Sequence, residues 1–158
     1  MNWYVLYVKS KQEFKVQDYL NKLDLELEAF CPYRIELKQW SDRKKKIAVP
    51  LISSIVLIKT KEINRDKVFS VPGTIRYLFW LGKPAIVKEF EVEQLLSISH
   101  NENIISHEVE EIKLGKHIDL TRFGFSNRTG VIQRVSNNVF WVVLESLGYT
   151  LKLTLKKQ

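Results

Sequence analysis

Hydrophobic residues come in short runs along this chain, and the spacing inside each run separates one kind of element from another. Residues 3–9, WYVLYVK, alternate aromatic and aliphatic side chains with no breaker, which predicts a first strand buried on at least one face. Ser10 and Glu13 make an S-x-x-E capping box, and Val16, Tyr19, Leu20 and Leu23 follow at helical spacing. An amphipathic helix is expected there, with Lys11, Gln12 and Lys15 on its polar side. Residues 28–39 read as a second extended run, with Pro32 near a strand end or edge where a missing N–H is tolerated.

The stretch 39–60, QWSDRKKKIAVPLISSIVLIKT, has two halves that want opposite environments. Arg43, Lys44, Lys45 and Lys46 repel one another unless water or a polyanion surrounds them, so they belong on an exposed tip. Ile55, Val56, Leu57 and Ile58 are mostly β-branched and predict a central strand over 55–59. Further on, Asn64 is placed to cap a short helix to Ser70, with Ile63 and Val68 as a hydrophobic staple. Residues 75–80 and 85–87 flank the turn Leu81-Gly82-Lys83-Pro84 and read as a hairpin. Val92, Leu95, Leu96 and Ser99 then return to helical spacing.

This order describes an α+β fold, an α/β sandwich of helices on one mainly antiparallel sheet, ending near residue 101. Residues 102–113 are polar and acidic, with Glu108, Glu110 and Glu111 close together, which suits a solvated linker. From 114 to 158 the chain reads as short strands and turns. Residues 130–135 and 139–144 are rich in valine, Asn137-Asn138 is a turn signal, and Leu151, Leu153 and Leu155 alternate with Lys152, Thr154 and Lys156. A small, strongly bent β-barrel is expected.

At 158 residues there is room for one ordinary domain or two small ones. Lys and Arg number 25 against 18 acidic residues, a net charge of +7 that favours an anionic partner. The excess sits at the two ends: residues 1–60 carry +4, 61–113 carry −2 and 114–158 carry +5. Cys31 is the only cysteine, so no intrachain disulfide forms and a cytoplasmic setting is expected. Cys31, His100, His107 and His117 lack metal-ligand spacing, so neither a metal nor another cofactor is expected. Neither a signal peptide nor a membrane-spanning run is apparent.

Several short motifs, in order, carry a resemblance. They are residues 3–9 (WYVLYVK), Pro50-Leu51, Val71-Pro72-Gly73, residues 82–87 (GKPAIV), Gly115, Gly130-Val131-Ile132 and residues 144–148 (LESLG). Together they resemble the NusG-like transcription elongation and antitermination factors, an N-terminal NusG-type domain followed by a KOW domain. QWSDRKKK followed by PLISS is similar to the specialised antiterminator paralogues of Bacteroidetes-type bacteria. The resemblance implies domains at 1–101 and 114–158 joined by a linker at 102–113, the second an SH3-like β-barrel. The family motif Pro-Leu-Phe-Pro-Gly-Tyr is here Pro50-Leu51-Ile52-Ser53-Ser54-Ile55, and the KOW loop is Phe123-Gly124-Phe125-Ser126-Asn127.

The resemblance further implies that the first domain grips the clamp helices of the largest RNA polymerase subunit through an apolar depression. Matching positions are Tyr7, Ile52, Ile55, Leu57 and Tyr77. Lys9, Lys11, Gln12, Lys15, Arg43, Lys44, Lys45, Lys46 and Arg76 would meet upstream or non-template DNA, or nascent RNA. Phe123, Phe125, Asn127 and Arg128 would offer the KOW domain to a ribosomal protein or Rho, and a monomer is expected. A specialised relative folds this domain as a helical hairpin. Here the strict leucine alternation and Gly124, Gly130 and Gly148 argue instead for strands that leave Ile55 uncovered. No Gly-rich phosphate loop, nucleophile elbow or sequence-paired His and nucleophile points to an enzyme. The runner-up function is a ribosome-associated KOW protein that binds structured RNA.

Overall fold

The structure, a computed structural model, describes residues 1–23, 26–111, 132–134 and 136–157. Its centre is β1 (Asn2–Val8), which pairs antiparallel with β5 (Ile55–Thr60) in the register Asn2↔Thr60 to Tyr7↔Ile55. β2 (Leu27–Phe30) lies outside β5. The other edge of β1 is shared by β6 (Thr74–Tyr77) and β9 (Ile86–Val87). Ile55, Val56, Leu57 and Ile58 are all buried, so this strand is covered on both faces, as its unbroken apolar run requires.

α1 (Glu13–Lys22) covers one face with Val16 and Leu20, joined by Val68 of a 3-10 helix, Glu62–Ser70. α2 (Glu89–Ser99) covers the other with Val92, Leu95 and Ile98. Between β6 and β9 the chain makes a small tip, β7 (Phe79–Trp80) with β8 (Lys83–Pro84). Its turn falls at Leu81-Gly82, both at positive φ, the combination that a tight two-residue hairpin needs. The expected hairpin is therefore confined to its tip, and its arms part to pair with different stretches of β1.

β3 (Tyr33–Gln39) and β4 (Lys44–Pro50) form a separate two-stranded hairpin. The expected single run over 28–39 is broken at Cys31-Pro32, where Pro32 has no N–H to give to a ladder and its carbonyl accepts from Leu51. Of the basic run only Arg43 lies in the turn; Lys44, Lys45 and Lys46 are exposed strand residues.

Three local expectations are corrected. α1 starts one residue after Gln12 with no side-chain cap, because Lys11 takes φ 68° and Glu13 turns inward to a buried site. The capping box is therefore not made. Ile63 is 86% exposed, so no staple with Val68 closes the 3-10 helix. The expected linker contains β10 (Ile104–Glu111), at the edge of its sheet among the described residues, whose glutamates face solvent while its backbone pairs with β13 (Tyr149–Leu155). The second sheet runs β10-β13-β12-β11, with β11 at Ile132–Arg134 and β12 at Val139–Leu144. All its pairings are antiparallel. The strands expected at 139–144 and from Leu151 to Leu155 are present, and residues 136–138 make the bend between β11 and β12.

Gly73 joins the 3-10 helix to β6 at φ +98°, and a Cβ there would lie 2.5 Å from Gln12 Oε1 and 3.1 Å from Val16 Cγ2. Gly73→Ala should therefore destabilise the protein by about 1 kcal/mol or more. Chemical denaturation checks this, and an unchanged midpoint would show that the loop relaxes freely.

Candidate interaction surfaces

Side chains alternate along β1 and β5, so Trp3, Val5, Tyr7, Ile55 and Leu57 share one face while Tyr4, Leu6, Val8, Val56 and Ile58 share the other. Of the apolar site residues named from sequence, four come together: Ile52, Ile55 and Leu57 are buried in one cluster, and half-buried Tyr7 packs against it. Tyr77 does not join them. It lies in the opposite layer, its hydroxyl donating to the Arg65 carbonyl at 2.7 Å and its ring edge-on to Tyr4 and Phe69. Burial pushes its hydroxyl pKa well up. Sequence reasoning missed Trp3 and Val5 on the Tyr7 face, although their alternation with Tyr7 was a readable signal.

This face is covered. The same cluster takes in Val142, Leu144, Leu147, Leu151 and Leu153 of the second sheet and its β12–β13 turn. Ile55 is only 1% exposed, which overturns the expectation that the second unit leaves it uncovered. Polar links accompany the apolar contact. Glu91 of α2, fully buried, accepts a hydrogen bond from the Ser146 N–H at 3.2 Å, and Lys88 lies 4.0 Å from Glu145. Burial raises the Glu91 pKa, opposed by its Ser146 hydrogen bonds and the Lys88 charge. Its Oε2 has no hydrogen-bond partner among the described residues.

A further link ties β10 to the base of the β3–β4 hairpin. Arg34, 8% exposed, donates from Nε to His107 Nδ1 at 3.0 Å and from Nη1 to the Ile105 carbonyl at 3.1 Å. Burial, then the Arg34 charge, lowers the His107 pKa below its ordinary 6.5, against a Leu51 backbone hydrogen bond and Glu36. A neutral ring keeps Nδ1 free to accept.

The basic residues form two groups. Lys9, Lys11, Gln12, Lys15 and Arg76 gather where β1, the start of α1 and β6 meet: Lys9 N–H donates to the Gly73 carbonyl, Tyr7 opposes Arg76, and the Arg76 guanidinium sits 4.8 Å over the Tyr7 ring. Arg43, Lys44, Lys45 and Lys46 project from the hairpin instead. Among the described residues no hydrogen bond or ion pair joins the two groups. Phe123, Phe125, Asn127 and Arg128 lie outside the described residues.

A family model described as transcription termination factor NusG matches residues 1–96. The chain belongs to the NusG family. Among 16 matching solved chains is one titled "Domain interaction in Thermotoga maritima NusG". It is similar with a TM-score of 0.50 and 20% identity, covering 98% of this chain and 93% of that one. A search of curated proteins gives no match. This NusG-family chain is thus a transcription factor in general terms, of a family whose members bind RNA polymerase and are not enzymes. Its fold is mixed α/β with a mainly antiparallel sheet.

In this NusG-family chain Cys31 is buried and its thiol pKa is pushed up to about 12 by burial and then by the Glu13 charge, so it is no nucleophile at neutral pH. Among the described residues no helix is long and apolar enough to cross a membrane.

The lowered His107 pKa has a definite sign. The released imidazole takes up its proton at higher pH than the docked one, so the β10–β3 contact is held above pH 6.5 and weakens as pH falls through the lowered docked value. Amide protection factors at Ile105 and His107, which correct for the intrinsic slowing of exchange at low pH, should fall in that window for the native protein and lose this dependence in His107→Gln. Identical profiles in the two proteins would remove His107 from the contact.

Proposed function

We propose that this protein is a transcription elongation and antitermination factor that binds the polymerase clamp helices through the Tyr7, Ile52, Ile55 and Leu57 face. The observation that carries this reading is an apolar face shared by β1, β5 and Ile52 and closed over by a second small sheet. An apolar face covered by a separate small sheet would offer a partner a contact surface once that sheet lifted. Tyr77 drops out of the site because it faces the other layer.

The second unit, on this reading, is a KOW-type, SH3-like barrel that begins with β10, so the domain boundary falls near residue 103 and no long tether separates the units. The two basic groups hold upstream or non-template DNA by neutralising phosphates, which gives affinity without sequence preference. Bridging the clamp and steadying the edge of the transcription bubble disfavours pausing. The protein then works in the cytoplasm by holding a polymerase state, with no chemical step of its own. Phe123, Phe125, Asn127 and Arg128, outside the described residues, remain the proposed contact for a ribosomal protein or Rho.

Closure sets how much of the protein is competent to bind. Leu147 is 3% exposed in the shared cluster, and Leu147→Asp puts a charge in that dry contact and should lift the second sheet. Affinity for a clamp-helix fragment should rise about tenfold or more as the competent fraction grows. Glu91→Gln should act the other way. A carboxyl raised in the docked state favours docking fully below its ordinary 4.5, and that contribution fades as pH rises through the raised value. An amide that never ionises keeps the cover down at neutral pH and should weaken fragment binding. If amide exchange shows Leu147→Asp to be open and affinity does not change, the face is not the polymerase site. Purification of the tagged protein with ribosomal particles and no polymerase subunits would overturn the whole reading.

A further inference from the structure

The β3–β4 hairpin carries a feature that polymerase binding does not use. Lys38 opposes Lys45 in the ladder, and the Trp40 N–H donates to the Arg43 carbonyl at 2.7 Å. Residues directly opposite share a face, and alternate residues along a strand share it too. Lys38, Trp40, Arg43 and Lys45 therefore stand on one face of the hairpin, with Gln39, Lys44, Leu37 and Lys46 on the other. All four are exposed, Trp40 at 50%.

The cations on this face are not engaged within the protein. On the opposite face Lys46 pairs with Glu102 at 3.4 Å, whereas among the described residues no carboxylate pairs with Lys38, Arg43 or Lys45. The Trp40 ring is open in the same way. Lys59 lies over Trp3, Arg76 over Tyr7, Lys88 over Phe90 and Lys152 over Trp141. Among the described residues no cation covers the Trp40 ring, although three share its face. An open indole plane bordered by uncompensated cations suits a ligand that has flat π-faces and phosphates together.

We propose that this hairpin face binds single-stranded nucleic acid, with Trp40 stacking on an unpaired base and Lys38, Arg43 and Lys45 holding the neighbouring phosphates. It rests on the nucleic-acid reading above and adds the strandedness of the ligand and the stacking residue. In a duplex the bases are stacked on one another and offer only their edges in the grooves, so the indole would have no plane to meet. An acidic peptide would satisfy the cations and leave the ring idle.

The test uses the full-length protein and a fluorescent mixed-sequence DNA oligonucleotide, single-stranded or annealed to its complement, with polyglutamate as competitor. Trp40→Ala should weaken single-strand binding about tenfold, and Trp40→Phe should retain most of the affinity. Neither should alter the salt slope. The triple change Lys38→Ala, Arg43→Ala, Lys45→Ala should flatten that slope by about 0.7 per lost phosphate contact. These substitutions are at exposed positions, and circular dichroism confirms that the variants stay folded. If Trp40→Ala binds like the native protein while the triple variant loses salt dependence, stacking is overturned and charge-only binding stands. If Trp40→Ala weakens duplex as much as single strand, the strandedness is overturned. Equal displacement of the oligonucleotide by polyglutamate would make the face an acidic-protein site. Native affinity and slope in every variant would overturn both this inference and the hairpin's part in the nucleic-acid reading.

Discussion

Two neighbouring strands that are apolar on both faces set the terms for everything else in this protein. β1 and β5 lie side by side at the middle of the sheet, and each puts large side chains above and below its plane. Apolar surface left in water costs roughly 25 cal/mol per Å², so both faces must be covered. α1 and the 3-10 helix cover one side. α2 covers only part of the other, and the remainder falls to the second sheet. The cover and the candidate partner surface are thus consequences of the same apolar pattern.

Much of this was legible from spacing alone. β1, α1, β5, α2, β12 and β13 have strict or dense apolar periodicity, and periodicity survives tertiary context well. β10 was missed because among the described residues it pairs on one side only, with β13, and its exposed glutamates give it the polarity of a loop. Such a strand has the composition of a linker. The capping box failed for a different reason: Ser10 and Glu13 have the right spacing, but the turn at Lys11 and the burial of Glu13 belong to tertiary packing. The covered state of Ile55 was out of reach as well. A buried isoleucine has the same neighbours in sequence whether a helix of its own unit or a sheet from farther along the chain lies over it. The hairpin charges were legible as charges, while the face shared by Lys38, Trp40, Arg43 and Lys45 depends on a register that only pairing reveals.

The polar groups at the junction are unequal in kind. Arg34 has two hydrogen bonds to β10, whereas Glu91, held by Ser146, keeps one oxygen with no hydrogen-bond partner among the described residues. A buried carboxylate only partly satisfied costs stability that well-placed apolar contacts must offset. The β10 side of the junction is therefore held with directional contacts, and the β12–β13 turn mainly by leucines and valines.

The order in which the chain is made gives this arrangement a further meaning. β1 and β5, which build the apolar face, are complete by Thr60, whereas β13, which pairs with both β10 and β12, begins only at Tyr149. During synthesis the first sheet therefore emerges and folds while its cover is still inside the ribosome or not yet translated. For that interval the apolar face of the nascent chain has α2 over part of it and lacks the cover that the second sheet gives.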